Sequence, residues 1–238
     1  TRNLAYNRWI FVAKSKKILK NNESKEKYSS YISALSTYNP EKLEETPSNP
    51  NDIYKYYSCI DNLYIWLKNA YDDDICVLCN EMRAILGHLS EYDPYTEKIK
   101  SNLGKAYGHF RRLSIDTLKI ICNGFDKEFD EWIRKHTSYD YRNIDAEYLP
   151  TYIALYYKAH NKYIEAQKSE NLGSDKDNDI IKKYCDVANA FGKLYEHHVD
   201  DRRFEIEKIT RRFKRNKFAV IVSTIAITVI SILGTVLN

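Results

Sequence analysis

Five cysteines, a histidine pair and two acidic clusters are the residues whose types and spacing could do chemistry in this 238-residue chain. The cysteines are Cys59, Cys76, Cys79, Cys122 and Cys185, and Cys76-Val77-Leu78-Cys79 forms a CxxC. A tetrahedral zinc site would need a second cysteine pair or histidines at ligand spacing, and none stands nearby. A thioredoxin-like dithiol would need a strand before it, and the residues preceding Cys76 do not alternate as a strand does. Residues three apart share one face of a helix, so both thiols of the CxxC can face the same core. In an oxidising compartment the five are candidate disulfide residues. Cys59 is expected to bond Cys76 or Cys79, whose helices neighbour it in sequence. The odd count leaves one thiol free or bonded to another chain.

His197-His198-Val199-Asp200-Asp201 has the composition of a metal cluster but not its geometry. Adjacent helical residues point about 100° apart, and Arg202 and Arg203 would repel a cation. The run reads as a solvated charged helix face. Asp72-Asp73-Asp74 lacks the alternating ligands and glycine of a calcium loop and reads as a polar helix boundary. No phosphate-binding glycine loop, nucleotide fingerprint, HExxH or GxSxG is present. The 21 tyrosines recur at helical spacing, as core residues whose hydroxyls reach the surface. No catalytic residue, metal, cofactor or small-molecule substrate is expected, and the chain does not read as an enzyme.

These residues sit on a succession of helices. Residues 3–20 form a basic amphipathic helix, the first of a bundle or, alternatively, one lying on a membrane surface, and 23–38 repeat apolar residues at steps of three and one. Asn39 to Asn51 holds three of the five prolines and forms a long surface loop or a lobe boundary. Asp52 caps a helix to about Tyr71, and 75–91 form another. Asp93-Pro94 starts a helix ending near Leu113, with Pro94 in its first position. Ser114 caps a short helix over 115–122, Asn123-Gly124 breaks it, and 125–136 form the next. Thr137 to Leu149 is a loop, and Pro150 opens a helix to about Glu170. Asn171 to Asp179 is the clearest exposed loop. The last helix of the domain begins near Asp179, with Ile180, Ile181, Tyr184, Cys185, Ala188, Phe191, Leu194, Tyr195 and His198 at helical spacing, and can run on through Phe204 and Ile209 into the apolar run. No segment alternates with period two, and no repeat of 20–50 residues recurs. The fold class is all-α: one helical bundle or two small lobes, with a single C-terminal transmembrane helix.

That last expectation rests on Phe218 to Leu237, FAVIVSTIAITVISILGTVL, which has no charged residue, amide, histidine or proline. A helix of roughly 20 apolar residues spans the roughly 30 Å hydrocarbon core of a bilayer. Before it stands a basic collar of Arg211, Arg212, Lys214, Arg215 and Lys217, suited to lipid headgroups. The net charge is +4, so the collar's five positive charges leave the rest near neutral. A large basic face for nucleic acid is not expected. The organisation is thus an N-terminal helical segment and Pro-rich loop (1–50), a helical domain (51–200), a basic juxtamembrane stalk (201–217) and the span (218–237). Trp9 to Ala13 is too short for a signal core, and Thr1 stands where a nascent chain would have Met, as in a processed form or a segment of a longer one.

Several segments resemble the Plasmodium interspersed repeat superfamily, nearest its VIR-like members. Cys59-Ile60-Asp61-Asn62-Leu63-Tyr64-Ile65-Trp66-Leu67 is similar to that family's Cys-x-x-Leu-x-Tyr-Trp-Leu helix, with one residue inserted before the Trp. Cys122 precedes the acidic, aromatic stretch Phe125 to Trp132, as a later family cysteine does. Lys183-Tyr184-Cys185, followed by Leu194-Tyr195, looks like the family's Lys-x-Tyr-Cys helix. Arg2-Asn3-Leu4-Ala5-Tyr6 approaches the Arg-x-Leu-x-acid export motif of malaria parasites, with Tyr6 where the acid belongs. The chain departs from the family in lacking cysteines after Cys185 and a tail after the apolar run. The resemblance covers about residues 50–237. It implies a variant surface or exported antigen without catalytic activity, presenting a helical ectodomain to host receptors and antibodies at the infected cell surface or in vacuolar and export membranes. The alternative is a cytosol-facing, tail-anchored adaptor or fusion-related protein, since positive charge beside a span favours the cytoplasmic side.

Overall fold

The computed structural model describes residues 23–38, 40, 47–70, 76–91, 98–136, 146–173 and 177–236, and the described side chains exclude those at 59, 98–100, 201, 214, 220 and 223–236. The helices are α1 (23–37), α2 (Pro50–Ala70), α3 (Cys76–Ser90), α4 (Lys98–His136), α5 (Tyr148–Leu172), α6 (Asp177–His198) and α7 (Asp201–Val236), with no strand among the described residues. The all-α expectation holds. Expectations for 3–20, for Asp72-Asp73-Asp74 and for Pro94 lie outside the described residues.

Helix α4 is the axis of the fold. Its 39 residues, at 1.5 Å each, extend roughly 58 Å, and α2, α3, α5, α6 and the start of α7 all pack against it. The sequence-based division into three helices is corrected here. Neither Ser114 nor Asn123-Gly124 interrupts α4. The Ser114 hydroxyl turns back to donate to the Phe110 carbonyl at 3.1 Å, and Thr117 does the same to Leu113 at 2.7 Å. These hydroxyls bond the turn before them instead of starting a new helix. A helical glycine costs about 1 kcal/mol, whereas burying one large apolar side chain stabilises by about 1.5–3 kcal/mol. Phe125 and Phe129, just after the glycine, are both wholly buried, so packing outweighs the local preference.

The core is aromatic. The Phe125 ring lies 5.0 Å from Tyr31 of α1, 5.7 Å from Trp66 of α2 and 5.3 Å from Tyr195 of α6. Helix α1 therefore shares one core with the helices beyond the Pro-rich connection. Tyr31 also donates its hydroxyl to the Ala188 carbonyl of α6 at 2.8 Å. Other tyrosine hydroxyls stay inside as well: Tyr184 donates to Glu170 at 2.6 Å and Tyr148 to the His197 carbonyl at 2.9 Å. The tyrosines are core residues, as their spacing predicts, but these hydroxyls find internal partners instead of water.

The element ends have local causes. Asn49, not Asp52, caps α2: its side-chain oxygen accepts from the Asn51 N–H at 2.9 Å, and Pro50 takes the first helical position. Asp52 reaches back to the Ser48 and Asn49 N–H groups at 3.0 and 3.3 Å, closing a reciprocal capping box. Helix α5 begins at Tyr148, before Pro150, which the first turn tolerates because its missing N–H has no intrahelical partner there. It ends on Gly173, whose φ of 58° is the left-handed cap that glycine adopts freely. The loop expected over 171–179 is thus shorter, since α6 starts at Asp177.

Candidate functional site

Two regions bear on function: the turn from α6 to α7, and the basic collar beyond it. Helix α6 stops at His198, so it does not run on into α7. After Val199, Asp200 accepts from the Arg202 N–H at 2.9 Å and from the Arg202 guanidinium at 3.0–3.1 Å. That side chain caps α7, and its carboxyl is held below the ordinary range chiefly by the Arg202 hydrogen bond. The first turns of α7 belong to the bundle, because Phe204, Ile206 and Thr210 are buried. From Arg211 to Val222 every described side chain is exposed.

The collar residues Arg211, Arg212, Arg215 and Lys217 therefore stand in solvent on one continuous helix, while the Lys214 side chain lies outside the described residues. Arg211 pairs with Glu207 at 3.3 Å one turn earlier. Among the described residues no helix is long and apolar enough to cross a membrane. Of the run expected to span, only Phe218, Ala219, Ile221 and Val222 have described side chains, and all four are exposed.

His197 and His198 are not on a solvated face, which corrects the sequence reading. His198 is 1% exposed. Its ring packs among Phe129, Trp132 and Tyr152 at centroid distances of 5.1–5.8 Å. The Tyr152 hydroxyl and its Nδ1 share a hydrogen bond at 2.6 Å. Burial in this cage holds the imidazole well below its ordinary pKa of 6.5, and Arg203 adds to the effect. His197 stacks on Tyr148 at 4.3 Å. The spacing of Tyr184, Ala188, Phe191, Tyr195 and His198 was the available signal, because it puts His198 on the core face of α6.

The four cysteines with described side chains do not assemble into one site. Cys76 and Cys79 carry free thiols, and the disulfide expected of Cys59 lies outside the described residues because the Cys59 side chain is not among them. Cys79 instead faces Tyr64 of α2, whose hydroxyl is held above its ordinary pKa by burial and then by that thiol. Cys122 and Cys185 are also free and buried at the contact of α4 with α6. Burial raises both thiols, that of Cys185 to about 11. Among the described residues no group of three or more His, Cys, Asp or Glu side chains could hold a metal ion.

Two surface grooves lie among the described residues. One of about 480 Å³ between α1 and α2 is lined by Lys27, Ser33, Asn62, Ile65 and Trp66 among others. Another, of about 230 Å³ between α5 and α6, is bordered by Lys158, Lys162, Lys193 and Asp186. Their linings include no histidine or cysteine, and Asp186 is the one carboxylate.

No family model, no curated protein and no solved structure matches the chain.

Proposed function

We propose that this chain is a single-pass membrane protein whose helical domain is a non-enzymatic interaction module of the variant surface antigen type. The observation that carries the reading is α7: one uninterrupted helix joins the bundle contacts at Phe204 and Ile206 to the collar and then to the apolar run. A helix that leaves a folded domain, turns basic and then carries roughly 20 uncharged residues has the make-up of a membrane anchor. Its collar residues, held near anionic headgroups, would each contribute about 1 kcal/mol to that attachment. The cysteine, tryptophan and tyrosine segments that resemble the Plasmodium interspersed repeat superfamily support the assignment of the domain to host contact and immune evasion. Host receptors and antibodies are the partners that this implies.

The basic collar favours a second reading. It lies on the domain side of the apolar run, which by charge alone puts the domain in the cytosol, as in a tail-anchored adaptor or fusion-related protein. One experiment tests both. Membranes from cells expressing the chain are extracted with alkaline carbonate, and intact cells are treated with protease. The proposal expects retention in the pellet and cleavage of the domain from outside. A protected domain in the pellet selects the cytosol-facing reading, and release into the carbonate supernatant overturns both.

A further inference from the structure

The α6–α7 turn contains a buried titratable group with an incomplete set of partners. The imidazole Nδ1 of His198 shares a hydrogen bond with the Tyr152 hydroxyl, which is the ring's one polar partner in the cage. That Nε2 is buried with no hydrogen-bond partner among the described residues, and the same is true of the neighbouring Trp132 indole nitrogen. The nearest carboxylate oxygen, on Glu128, is 3.9 Å from Nε2, beyond hydrogen-bond reach. We propose that His198 is an acid-sensitive latch that holds the start of α7 against the helical bundle and releases it when protonated.

The chemistry follows from the surroundings. A protonated imidazole carries a hydrogen on both nitrogens. Its Nδ1–H then donates to the Tyr152 oxygen, and its Nε2–H is left in the aromatic cage without an acceptor. The new charge would face cationic or protonatable groups on four helices: Arg203 of α7, His136 of α4, Lys27 of α1 and His197 of α6. Glu128 of α4 is the acid within 4 Å among the described residues, and its 39% exposure lets solvent screen it. The remaining titratable neighbours, Tyr148 and Tyr152 of α5 and Tyr195 of α6, stay neutral because burial raises them further above their ordinary value of 10.0. Among these charges only Arg203 belongs to α7, and α7 contacts the bundle through few residues, chiefly Phe204, Ile206 and Thr210. Moving α7 away both relieves the repulsion and brings water to His198.

The direction with pH is fixed by linkage. The closed form holds His198 below 6.5, so the open form binds the proton first. The latch is at full strength above about pH 6.5 and weakens as the pH falls below it. This inference does not depend on what the domain binds.

The test is hydrogen–deuterium exchange of the full chain in detergent micelles at pH 7.5 and 5.0, with rates corrected for intrinsic exchange. Protection of residues 201–210 is expected to fall about 30-fold at pH 5.0, the ratio given by an open-state pKa of 6.5. The core of α4 around Ile121 to Phe129 keeps its protection. His198→Gln, which can still accept from Tyr152 but does not titrate in this range, is expected to abolish the response. An unchanged wild-type 201–210 segment, or an equal response in His198→Gln, overturns the proposal. If His198→Gln does not fold, the pH profile of the wild-type segment decides: protection of 201–210 that falls progressively below pH 6.5 is expected, and a flat profile between pH 7.5 and 5.0 refutes the latch.

Discussion

Replacing Phe125 by Ala tests the central claim that one aromatic core joins helices from both ends of the domain. Phe125 is wholly buried and contacts rings on α1, α2 and α6 as well as Phe129 on its own helix. Truncating a buried phenylalanine costs about 3–5 kcal/mol through lost transfer free energy and the cavity left behind. The edge-to-face contact with Tyr31 places the site toward the upper end of that range, since such a pair adds about 0.5–1.5 kcal/mol. In a domain of this size each kcal/mol moves the melting temperature by about 2–4 °C, so Phe125→Ala is expected to lower it by about 8–20 °C. Circular dichroism at 222 nm during heating gives the number directly. Phe125→Leu keeps most of the volume and should cost about 1 kcal/mol. Tyr54→Ala, at a side chain 59% exposed on α2, should stay within about 0.5 kcal/mol of the parent. A Phe125→Ala shift no larger than that of Tyr54→Ala would refute the shared core. Two separate transitions in the parent protein would instead restore the two-lobe arrangement.

Further expectations concern single residues. Gly108→Ala should raise stability by up to about 1 kcal/mol, because nothing lies within 4 Å of the added methyl group and a helical alanine is favoured over glycine; chemical denaturation measures it. Gly173→Ala should lower stability by about 1–2 kcal/mol in the same assay, since its φ of 58° strains any side chain. Iodoacetamide at pH 8 should modify exposed Cys76 first and reach Cys122 and Cys185 only after unfolding, because burial both hides those thiols and holds them protonated. Peptide mass mapping of a time course reads the order, and early labelling of Cys122 would contradict its placement.

Helical class and most helix positions were legible because apolar steps of three and four survive in a plain chain. Helix α2 and helix α3 fall within a residue or two of the expected spans. What misled was punctuation. Ser114, Asn123 and Gly124 have the residue types of helix ends, yet Phe110, Leu113, Leu118, Ile121, Cys122, Phe125 and Phe129 continue one core face straight through them. Periodicity carried the right answer there, and the local preference of about 1 kcal/mol was the weaker term. His198 failed for a related reason. A charge-bearing run of His and Asp reads as surface, but its position on the α6 face decides its burial, and polarity alone does not reveal an aromatic cage. The partner of Tyr152 could not be read either, since α5 and α6 meet only in three dimensions.

The Tyr31 hydroxyl and the Ala188 carbonyl are 157 positions apart in the chain. During synthesis α1 emerges before the other described helices, and its partner on α6 emerges only after α2 to α5. Until then the Tyr31, Ala34 and Leu35 face has no complete seat, because Phe125, Ala188 and Tyr195 arrive in that order. The collar and apolar run follow within about thirty residues of Ala188, a spacing read from the sequence. Completion of the core and arrival of the hydrophobic segment are therefore nearly coincident events on the ribosome. The nascent chain carries an unfinished aromatic surface on α1 for most of the domain's elongation, until the non-local contact with α6 can close.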